Sequence, residues 1–170
     1  MRKLDKNKLA FLLFGIKFGD SRMQRSLIIV KPDAVQRGLC GEIMKRFENK
    51  GLKLAASKFM LVSRETAEKH YAVHKEKPFY DKVCKYLSSS PVLVMVWRGK
   101  DAVELARRVI GATSPFDASP GTIRGDLSMS KTSNLVHGSD SVETAEYEIP
   151  LFFSEDEVLS YDLCTDDWLE

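Results

Sequence analysis

Apolar residues form two kinds of pattern along this chain. Residues 26–31 form a continuous β-branched and apolar run that predicts a β-strand buried on both faces. Residues 52–62 predict a second strand, and the apolar run at 91–97 predicts a strand central in a sheet. Elsewhere apolar residues recur every three or four positions with polar residues between them, which predicts amphipathic helices. The predicted helices cover about residues 39–50, 64–71, 78–87, 102–110 and 141–149.

Polar residues and glycines mark the ends of several predicted helices. Ser63, Asp101 and Asp140 stand where a side-chain oxygen would cap a first turn. Gly51 and Gly111 stand where two helices would end.

Regular spacing disappears from Ala112 to Asp126, which predicts a long loop, and loops of this length in compact domains tend to be functional. The order of elements is strand, helix, strand, short helices, strand, helix, loop, strand and helix. This order predicts a two-layer α/β sandwich with helices packed against one sheet.

Length and composition are typical of a single globular domain. The 170 residues are 44% apolar and 29% charged, which is enough chain to bury a core without disulfides or metals. The net charge of +2 is too small to indicate a nucleic-acid or membrane partner. An anionic ligand would therefore be small and bound locally.

The three cysteines, Cys40, Cys84 and Cys164, are scattered and form no CxxC pair. This pattern argues against a disulfide framework and against a zinc site, and it favours a reducing, cytoplasmic compartment. His70 and His74 are four residues apart and could share a metal on one helical face. The HExxH pattern is absent because Tyr71 stands where its glutamate would be, so we do not predict zinc there.

Residues 1–22 form an N-terminal extension. Basic residues precede an apolar run at 9–16 that is far too short to span a bilayer and is followed by no signal-peptide cleavage pattern. The alternatives are an amphipathic appendage, a weak targeting peptide, or an upstream start codon before a natural beginning at Met23, and we favour the last. Residues 23–170 would then form one domain.

His137 is the main candidate for a reactive residue. A short apolar run leads to it, and a Gly138-Ser139-Asp140 turn follows, so we expect its imidazole at the end of a strand. Histidine has the unperturbed pKa closest to neutrality, and its neutral ring can attack an electrophile without a strong base. From this segment alone, a structural or solvated histidine is the alternative.

Lys31 and Arg124 are candidates for anion binding. Lys31 ends the first predicted strand, where a long cation can reach into a cleft, and a solvated strand end is the alternative. Arg124 precedes Gly125, whose missing side chain would let a ligand approach closely, while a salt bridge to Asp126 is the alternative. The sequence contains neither GxxxxGK[ST] nor GxGxxG, so phosphates would have to be held by side chains.

Taken together, the chain closely resembles the nucleoside diphosphate kinase family from Met23 to the C-terminus. The resemblance rests on segments 29–33, 36–39, 70–71, 120–126 (Pro-Gly-Thr-Ile-Arg-Gly-Asp) and 134–141 (Asn-Leu-Val-His-Gly-Ser-Asp-Ser). The last two, at this separation, are highly specific to that family. The resemblance implies an α+β sandwich with a ferredoxin-like βαββαβ core, in which an antiparallel four-stranded sheet carries added helices and a long loop.

The resemblance also implies an activity and a catalytic set. The activity is Mg²⁺-dependent transfer of the γ-phosphoryl group from a nucleoside triphosphate to a nucleoside diphosphate. His137 would become phosphorylated, Glu148 would orient its ring through the other nitrogen, and Ser139 would support the site. Lys31 would hold phosphate, with Tyr71 beside the reacting phosphate.

A second set is implied to bind the nucleotide. Phe79 would stack on the base, Asn134 would contact the ribose and phosphate side, and the other members would hold phosphates. The whole set is Lys31, Phe79, Arg107, Thr113, Arg124 and Asn134. Stacking without hydrogen bonds to the base edges accepts any base, so we expect broad specificity. A phosphohistidine intermediate would make the reaction ping-pong, with one site serving donor and acceptor in turn.

The implied partners are nucleoside di- and triphosphates, with Mg²⁺ held mainly by their phosphates rather than by protein ligands. The tail through Trp168 is similar to that of longer family members, which implies a homo-hexamer. Tyr161 and Trp168 indicate that this tail packs on another surface, for which a neighbouring subunit is one candidate. Lys77, Val83 and residues 131–133 depart from common family residues at the nucleotide's rim, so they bear on affinity and base preference.

Two other functions are compatible with a fold of this class. An RNA-recognition module would need exposed aromatic residues on a central strand, but residues 91–97 are nearly all aliphatic. A catalytically inactive regulatory relative would be expected to have lost its histidine or lysine, yet His137, Lys31, Arg107 and Arg124 are all present. Both features favour the enzyme.

Overall fold

The computed structural model describes residues 23–164, so the predictions made for residues 1–22 and for Trp168 lie outside the described residues. Its strands are β1 (Met23–Val30), β2 (Lys53–Met60), β3 (Val92–Lys100) and β4 (Val136–Gly138). Its α-helices are α1 (Pro32–Gln36), α2 (Cys40–Asn49), α3 (Arg64–His70), α4 (Tyr80–Leu87), α5 (Ala102–Ile110), α6 (Ile123–Leu127) and α7 (Val142–Glu148). Short 3₁₀ helices cover Ala72–His74, Ile149–Leu151 and Glu155–Glu157.

The strands form one sheet in the order β2-β3-β1-β4, and every neighbouring pair is antiparallel. This is the order of a ferredoxin-like βαββαβ core, so the predicted fold is confirmed. The pairing of β1 with β4 sets Ile29 opposite His137 and so fixes the histidine beside the end of the central strand β1. His137 is the middle residue of the three-residue strand β4 rather than a residue beyond its end.

Both faces of the sheet are covered. Alternate residues of β1 point to opposite sides: Leu27 and Ile29 belong to one buried cluster and Ile28 and Val30 to the other. The second cluster includes residues of α2 and α5, and the first includes residues of α3, α4 and α7. The molecule therefore has three layers rather than the two expected from element order, because the added helices cover the second face.

Three local predictions are wrong in detail. The segment expected to be a loop through Asp126 ends earlier, because Thr122 caps α6 by accepting a hydrogen bond from the Gly125 backbone N–H. Ser141, not Asp140, caps α7 by accepting from the Thr144 N–H. Asp101 does occupy the N-cap of α5, but in the left-handed region (φ 51°) and without a side-chain cap bond.

The C-terminal segment returns to the sheet of its own chain. The Leu159 N–H donates to the Ala55 carbonyl at 2.9 Å, and the Tyr161 hydroxyl donates to the Leu54 carbonyl at 2.8 Å. The surface that receives Tyr161 is therefore strand β2. Over residues 23–164, no helix has the length and apolar character needed to cross a membrane.

Candidate active site

A pocket of about 500 Å³ opens where β1 ends and β4 begins, beside α5 and the loop that follows it. Of the ten residues singled out from the sequence, nine line it: Lys31, Tyr71, Phe79, Arg107, Thr113, Arg124, Asn134, His137 and Glu148. The tenth, Ser139, is completely buried behind Glu148. Folding thus brings together residues that lie more than a hundred positions apart in sequence.

A strained turn connects the two strand ends. Leu135 has a φ of 70°, which is uncommon for a residue with a branched side chain and is kept only where its surroundings enforce it. Here the Leu135 N–H donates to Asp33 Oδ2 at 3.1 Å, and its carbonyl accepts from the Lys31 N–H at 2.8 Å. These bonds tie Asn134 and His137, on either side of the turn, to the end of β1.

His137, Glu148 and Ser139 form a chain of hydrogen bonds. The Leu27 N–H donates to Ser139 Oγ at 3.1 Å, so the Ser139 hydroxyl is free to donate to Glu148 Oε2, which lies at 2.6 Å. Glu148 Oε1 lies 2.9 Å from His137 Nε2. A carboxylate that accepts on both oxygens places the His137 proton on Nε2, which leaves Nδ1 with an available lone pair.

Lys31 and Arg124 are held by groups of the same turn. Lys31 Nζ donates to Asn134 Oδ1 at 2.7 Å, and Asn134 Nδ2 donates to the Thr113 carbonyl at 3.2 Å. Arg124 donates to the carbonyls of Asn134, Gly111 and Val136 at 3.2, 3.2 and 2.8 Å. Since a guanidinium has five N–H donors, two remain for a ligand.

The lining cations make the pocket strongly electropositive. Burial, and then the neighbouring Arg124, lowers the pKa of Lys31 to about 8, while Asp33 acts in the opposite direction. Burial, and then Arg107, lowers the pKa of Arg124 to about 10, opposed by Asp140. Buried cations that disfavour one another's charge in a cleft are typical of a site that receives an anion.

Arg107 pairs with Asp140, and both side chains are largely exposed at the pocket. An exposed pair of this kind contributes little to stability, so Arg107 can exchange its carboxylate for a phosphate at small cost. The adjacent Arg108 instead pairs with Glu104 on the same helix.

The wall opposite the cations is aromatic. Phe79, which is 43% exposed, precedes α4 and contacts the ring of His74 edge-on at 5.5 Å between centroids. Tyr71 lies deeper, and burial raises the pKa of its phenol, so its hydroxyl keeps its proton as a hydrogen-bond donor. Lys82, Val83, Lys131 and Thr132 also line the pocket, so three of these four are polar residues next to an apolar platform.

His70 is a pocket residue to which the sequence reasoning gave no role there. It is 4% exposed, packs edge-on against His137 at 4.5 Å between ring centroids, and its Nδ1 lies 3.7 Å from Glu148 Oε1. Burial, and then His137, Lys31 and His74, lowers the pKa of His70 well below its usual range, so its ring is neutral. Both ring nitrogens are buried without a hydrogen-bond partner among residues 23–164, at a cost of about 1–3 kcal/mol each.

Asp33 and Gly125 have structural roles that the sequence did not predict. Asp33 supports the strained turn and also accepts from the Tyr86 hydroxyl, a role signalled only by its place in the segment 29–33. A Cβ at Gly125 would lie 2.1 Å from the Ser119 carbonyl oxygen. Close backbone packing therefore requires glycine there, and Asp126, proposed as a partner for Arg124, pairs with Arg46 instead.

The chain is similar to proteins of known name along most of its length. Residues 24–158 match the family model described as Nucleoside diphosphate kinase. The nucleoside diphosphate kinase of Thermomicrobium roseum is 53% identical over 147 residues, which are 86% of this chain and 99% of the relative.

Solved structures are similar over the same share of the chain. A halophilic nucleoside diphosphate kinase from Halobacterium salinarum in complex with CDP has a TM-score of 0.84 at 46% identity, covering 86% of this chain and 98% of its own. A nucleoside diphosphate kinase family protein from Babesia bovis has the same TM-score at 44% identity, covering 86% of this chain and 99% of its own.

Proposed function

We propose, from the premise that this chain belongs to the nucleoside diphosphate kinase family, that it works through a phosphohistidine at His137. The chain is a phosphotransferase that moves a phosphoryl group from a nucleoside triphosphate to a nucleoside diphosphate. The observation that carries the proposal is the His137–Glu148 bond at 2.9 Å, which holds Nε2 and leaves Nδ1 as the nucleophile in a pocket lined by cations.

The reaction has two half-reactions. In the first, the His137 Nδ1 lone pair forms a bond to the γ-phosphorus, and the bond from phosphorus to the β,γ-bridging oxygen breaks. The nucleoside diphosphate leaves with that oxygen and its electron pair. In the second, a terminal phosphate oxygen of a different nucleoside diphosphate attacks the phosphohistidine, and the electron pair of the P–N bond returns to Nδ1. A single nucleotide site serves both steps.

Glu148 and Ser139 act through His137 rather than on the phosphate. As His137 becomes phosphorylated at Nδ1, its ring gains positive charge that the Glu148 carboxylate stabilises through Nε2–H. The Ser139 hydroxyl keeps the carboxylate in place. Lys31, Arg107 and Arg124 spread the negative charge of the transferring group, which is the main requirement of phosphoryl transfer.

The family requires a divalent metal ion together with the nucleotide, and we propose Mg²⁺. Of the pocket carboxylates, Asp140 accepts from Arg107, and Glu148 already serves His137 and Ser139. This lining fits an ion held mainly by phosphate oxygens, as Mg²⁺ commonly is. When bound, Mg²⁺ supplies charge neutralisation at the phosphates.

We propose broad base specificity. Phe79 offers a partly exposed aromatic face, and stacking does not distinguish bases by their hydrogen-bonding edges. The CDP complex of the Halobacterium salinarum relative agrees with a site that accepts a pyrimidine nucleotide. Lys82 and Lys131 lie at the same pocket and would add attraction for the nucleotide without selecting a base.

We also propose a homo-hexameric assembly in the cytoplasm. The exposed apolar side chains of Phe59 and Phe116 support self-association. The cysteines at 40, 84 and 164 are free thiols in the structure, which suits a reducing compartment.

The decisive experiment is phosphoryl transfer from γ-labelled ATP with Mg²⁺, followed by acid and alkali treatment of the retained label and a chase with GDP. We expect label that is labile in acid, stable in alkali, and transferred to GDP. His137→Ala should retain no label while unfolding at nearly the same denaturant concentration as the wild type. A His137→Ala protein with full turnover would refute the mechanism.

A further inference from the structure

His70 is a pocket residue to which the proposed function gives no role. It is the last residue of α3, it is buried, and neither ring nitrogen has a hydrogen-bond partner within residues 23–164. Buried polar atoms are nearly always paired, so an imidazole without partners at the wall of an active-site pocket needs a physical reason.

Three atoms able to bind a metal meet at this point. His70 Nδ1 lies 3.7 Å from Glu148 Oε1, and the same oxygen lies 2.9 Å from His137 Nε2. One such atom from each of the three residues falls within 4.8 Å of the others. In a tetrahedral site with bonds of about 2.1 Å, ligand atoms lie about 3.4 Å apart. The separations of 3.7 and 2.9 Å lie on either side of this value, and the third is no longer than 4.8 Å.

We propose that His70, His137 and Glu148 form a binding site for a transition-metal ion of the Zn²⁺ type, and that the bound ion inhibits phosphoryl transfer. Two imidazoles and one carboxylate are a ligand set that suits Zn²⁺, whereas Mg²⁺ prefers oxygen ligands. All three residues line the nucleotide pocket, so the ion would enter from the open side and keep its fourth position there for water.

The surrounding contacts support such a site. Ser139 donates to Glu148 Oε2, which leaves Oε1 as the ligand atom and gives the carboxylate the supporting hydrogen bond that metal ligands commonly have. The His70 ring is held by edge-on packing against the rings of Tyr71 and Phe152, with centroids 4.7 and 5.8 Å away.

Inhibition rests on the proposed function. An ion at His137 Nε2 takes that lone pair, and the proton now on Nε2 is released to solvent. The ion draws electron density from the ring, so Nδ1 becomes a weaker nucleophile. It also uses the charge of Glu148 that would otherwise stabilise the phosphorylated ring.

The structure also separates this site from the pair considered on sequence grounds. His74 lies in the 3₁₀ helix after α3 and contacts Tyr71 and Phe79. The residues that gather around His70 for metal binding are His137 and Glu148. His74 is therefore a suitable control, since it is a histidine of the same pocket outside the cluster.

The test first measures metal binding to the full-length protein without nucleotide, using Zn²⁺ in calorimetry and Co²⁺ in visible absorption. We expect one ion per chain in the wild type. His70→Phe keeps an aromatic ring for packing and should weaken binding by at least roughly 10- to 100-fold, the loss seen even for supporting residues of metal sites. His74→Phe should bind like the wild type. Equal affinity in wild type and His70→Phe would overturn the site, and His70→Gln replaces His70→Phe if the latter is unfolded.

The second readout is the rate of phosphohistidine formation from excess Mg²⁺–ATP. Each protein is preloaded with Zn²⁺, and its rate is compared with the rate of the same protein without Zn²⁺. Wild type and His74→Phe should lose most of their rate and recover it with a chelator, whereas His70→Phe should be little affected by Zn²⁺. Binding without inhibition would overturn the regulatory role. If the wild type without Zn²⁺ took up no label from Mg²⁺–ATP, the proposed function would be refuted instead, because Zn²⁺ binding is measured independently.

Discussion

Glu148 accepts hydrogen bonds on both carboxylate oxygens, one from Ser139 and one from His137. A glutamine at this position has a single acceptor oxygen, so its NH₂ group would face one of the two donors. We expect Glu148→Gln to slow phosphohistidine formation by roughly 10- to 100-fold, the scale of losing a supporting or acid–base partner. Rapid quenching of the labelled enzyme measures this step.

Glu146→Gln is the matched control for this variant. Glu146 lies on the same helix α7 but is exposed, so the same chemical change should leave the rate unaltered. A Glu148→Gln enzyme as fast as the control would remove Glu148 from the mechanism.

Lys31 gives the enzyme an expected pH dependence. Burial and Arg124 lower its pKa to about 8, with Asp33 opposing them, so the side chain is a cation below pH 8 and neutral above it. Only the cation stabilises phosphate, so kcat/KM, which reports the free enzyme, should fall as pH rises through about 8. Arg124 keeps its charge in this range because its pKa is about 10.

Lys31→Arg tests this assignment, since arginine stays protonated throughout the range. The variant should be slower because a guanidinium does not match the Lys31 contact with Asn134, but its decline near pH 8 should disappear. The same decline in both enzymes would mean that another group controls it.

At the residue scale, the resemblance to a family selected residues that the fold brings together: nine of the ten line one pocket, and Ser139 lies behind Glu148. The resemblance also implied the contact of Glu148 with His137, whereas the bond from Lys31 to Asn134 and the approach of His70 to Glu148 were not predicted. His70 lies near Glu148 because α3 packs against the residues that follow α7. No local sequence pattern predicts this packing.

At the scale of elements, hydrophobic spacing predicted the strands and most helices because each has a buried face. It did not find α6, which is only five residues long and begins within a segment rich in proline and glycine. It also placed the cap of α7 one residue too early, since Asp140 and Ser141 are both good capping residues and Asp140 is engaged by Arg107.

Close backbone packing around Gly125 in helix α6 is expected to fix the position of the neighbouring Arg124. A Cβ at position 125 would lie 2.1 Å from the Ser119 carbonyl oxygen and 2.9 Å from Thr122 Oγ1. Because the first of these atoms belongs to the backbone, Gly125→Ala must displace α6 and the adjacent Arg124. We expect a loss of about 1–3 kcal/mol in the free energy of unfolding, the usual cost of overpacking, together with weaker nucleotide binding.

Gly41→Ala provides the comparison. Gly41 lies in helix α2, and a Cβ there meets no atom within 4 Å, so alanine should leave stability unchanged or raise it by up to about 1 kcal/mol. Urea unfolding measures both variants. If Gly125→Ala were as stable as Gly41→Ala, α6 would adapt to the added methyl group, and the position of Arg124 would not depend on this contact.

At the scale of the whole molecule, large apolar side chains on the described surface are exposed to solvent in a single chain. Phe59 on the edge strand β2 is 64% exposed, and Phe116 in the loop before α6 is 92% exposed. An edge strand with exposed apolar residues is a natural surface for pairing with another copy. Symmetric assembly would cover such surfaces in every copy at once.

The proposed hexamer predicts a molar mass of about 115 kDa in light scattering, six times the 19.2 kDa of the chain. Burial of a phenylalanine side chain stabilises by about 1.5–3 kcal/mol, and a buried unpaired carboxylate would cost more, so Phe116→Asp should lower the mass. Phe116→Tyr retains the ring and should keep the hexamer. Because Phe116 is exposed in the single chain, Phe116→Asp should still fold, which circular dichroism checks. A wild-type mass of four chains, or a Phe116→Asp protein of unchanged mass, would contradict a hexamer that uses this loop.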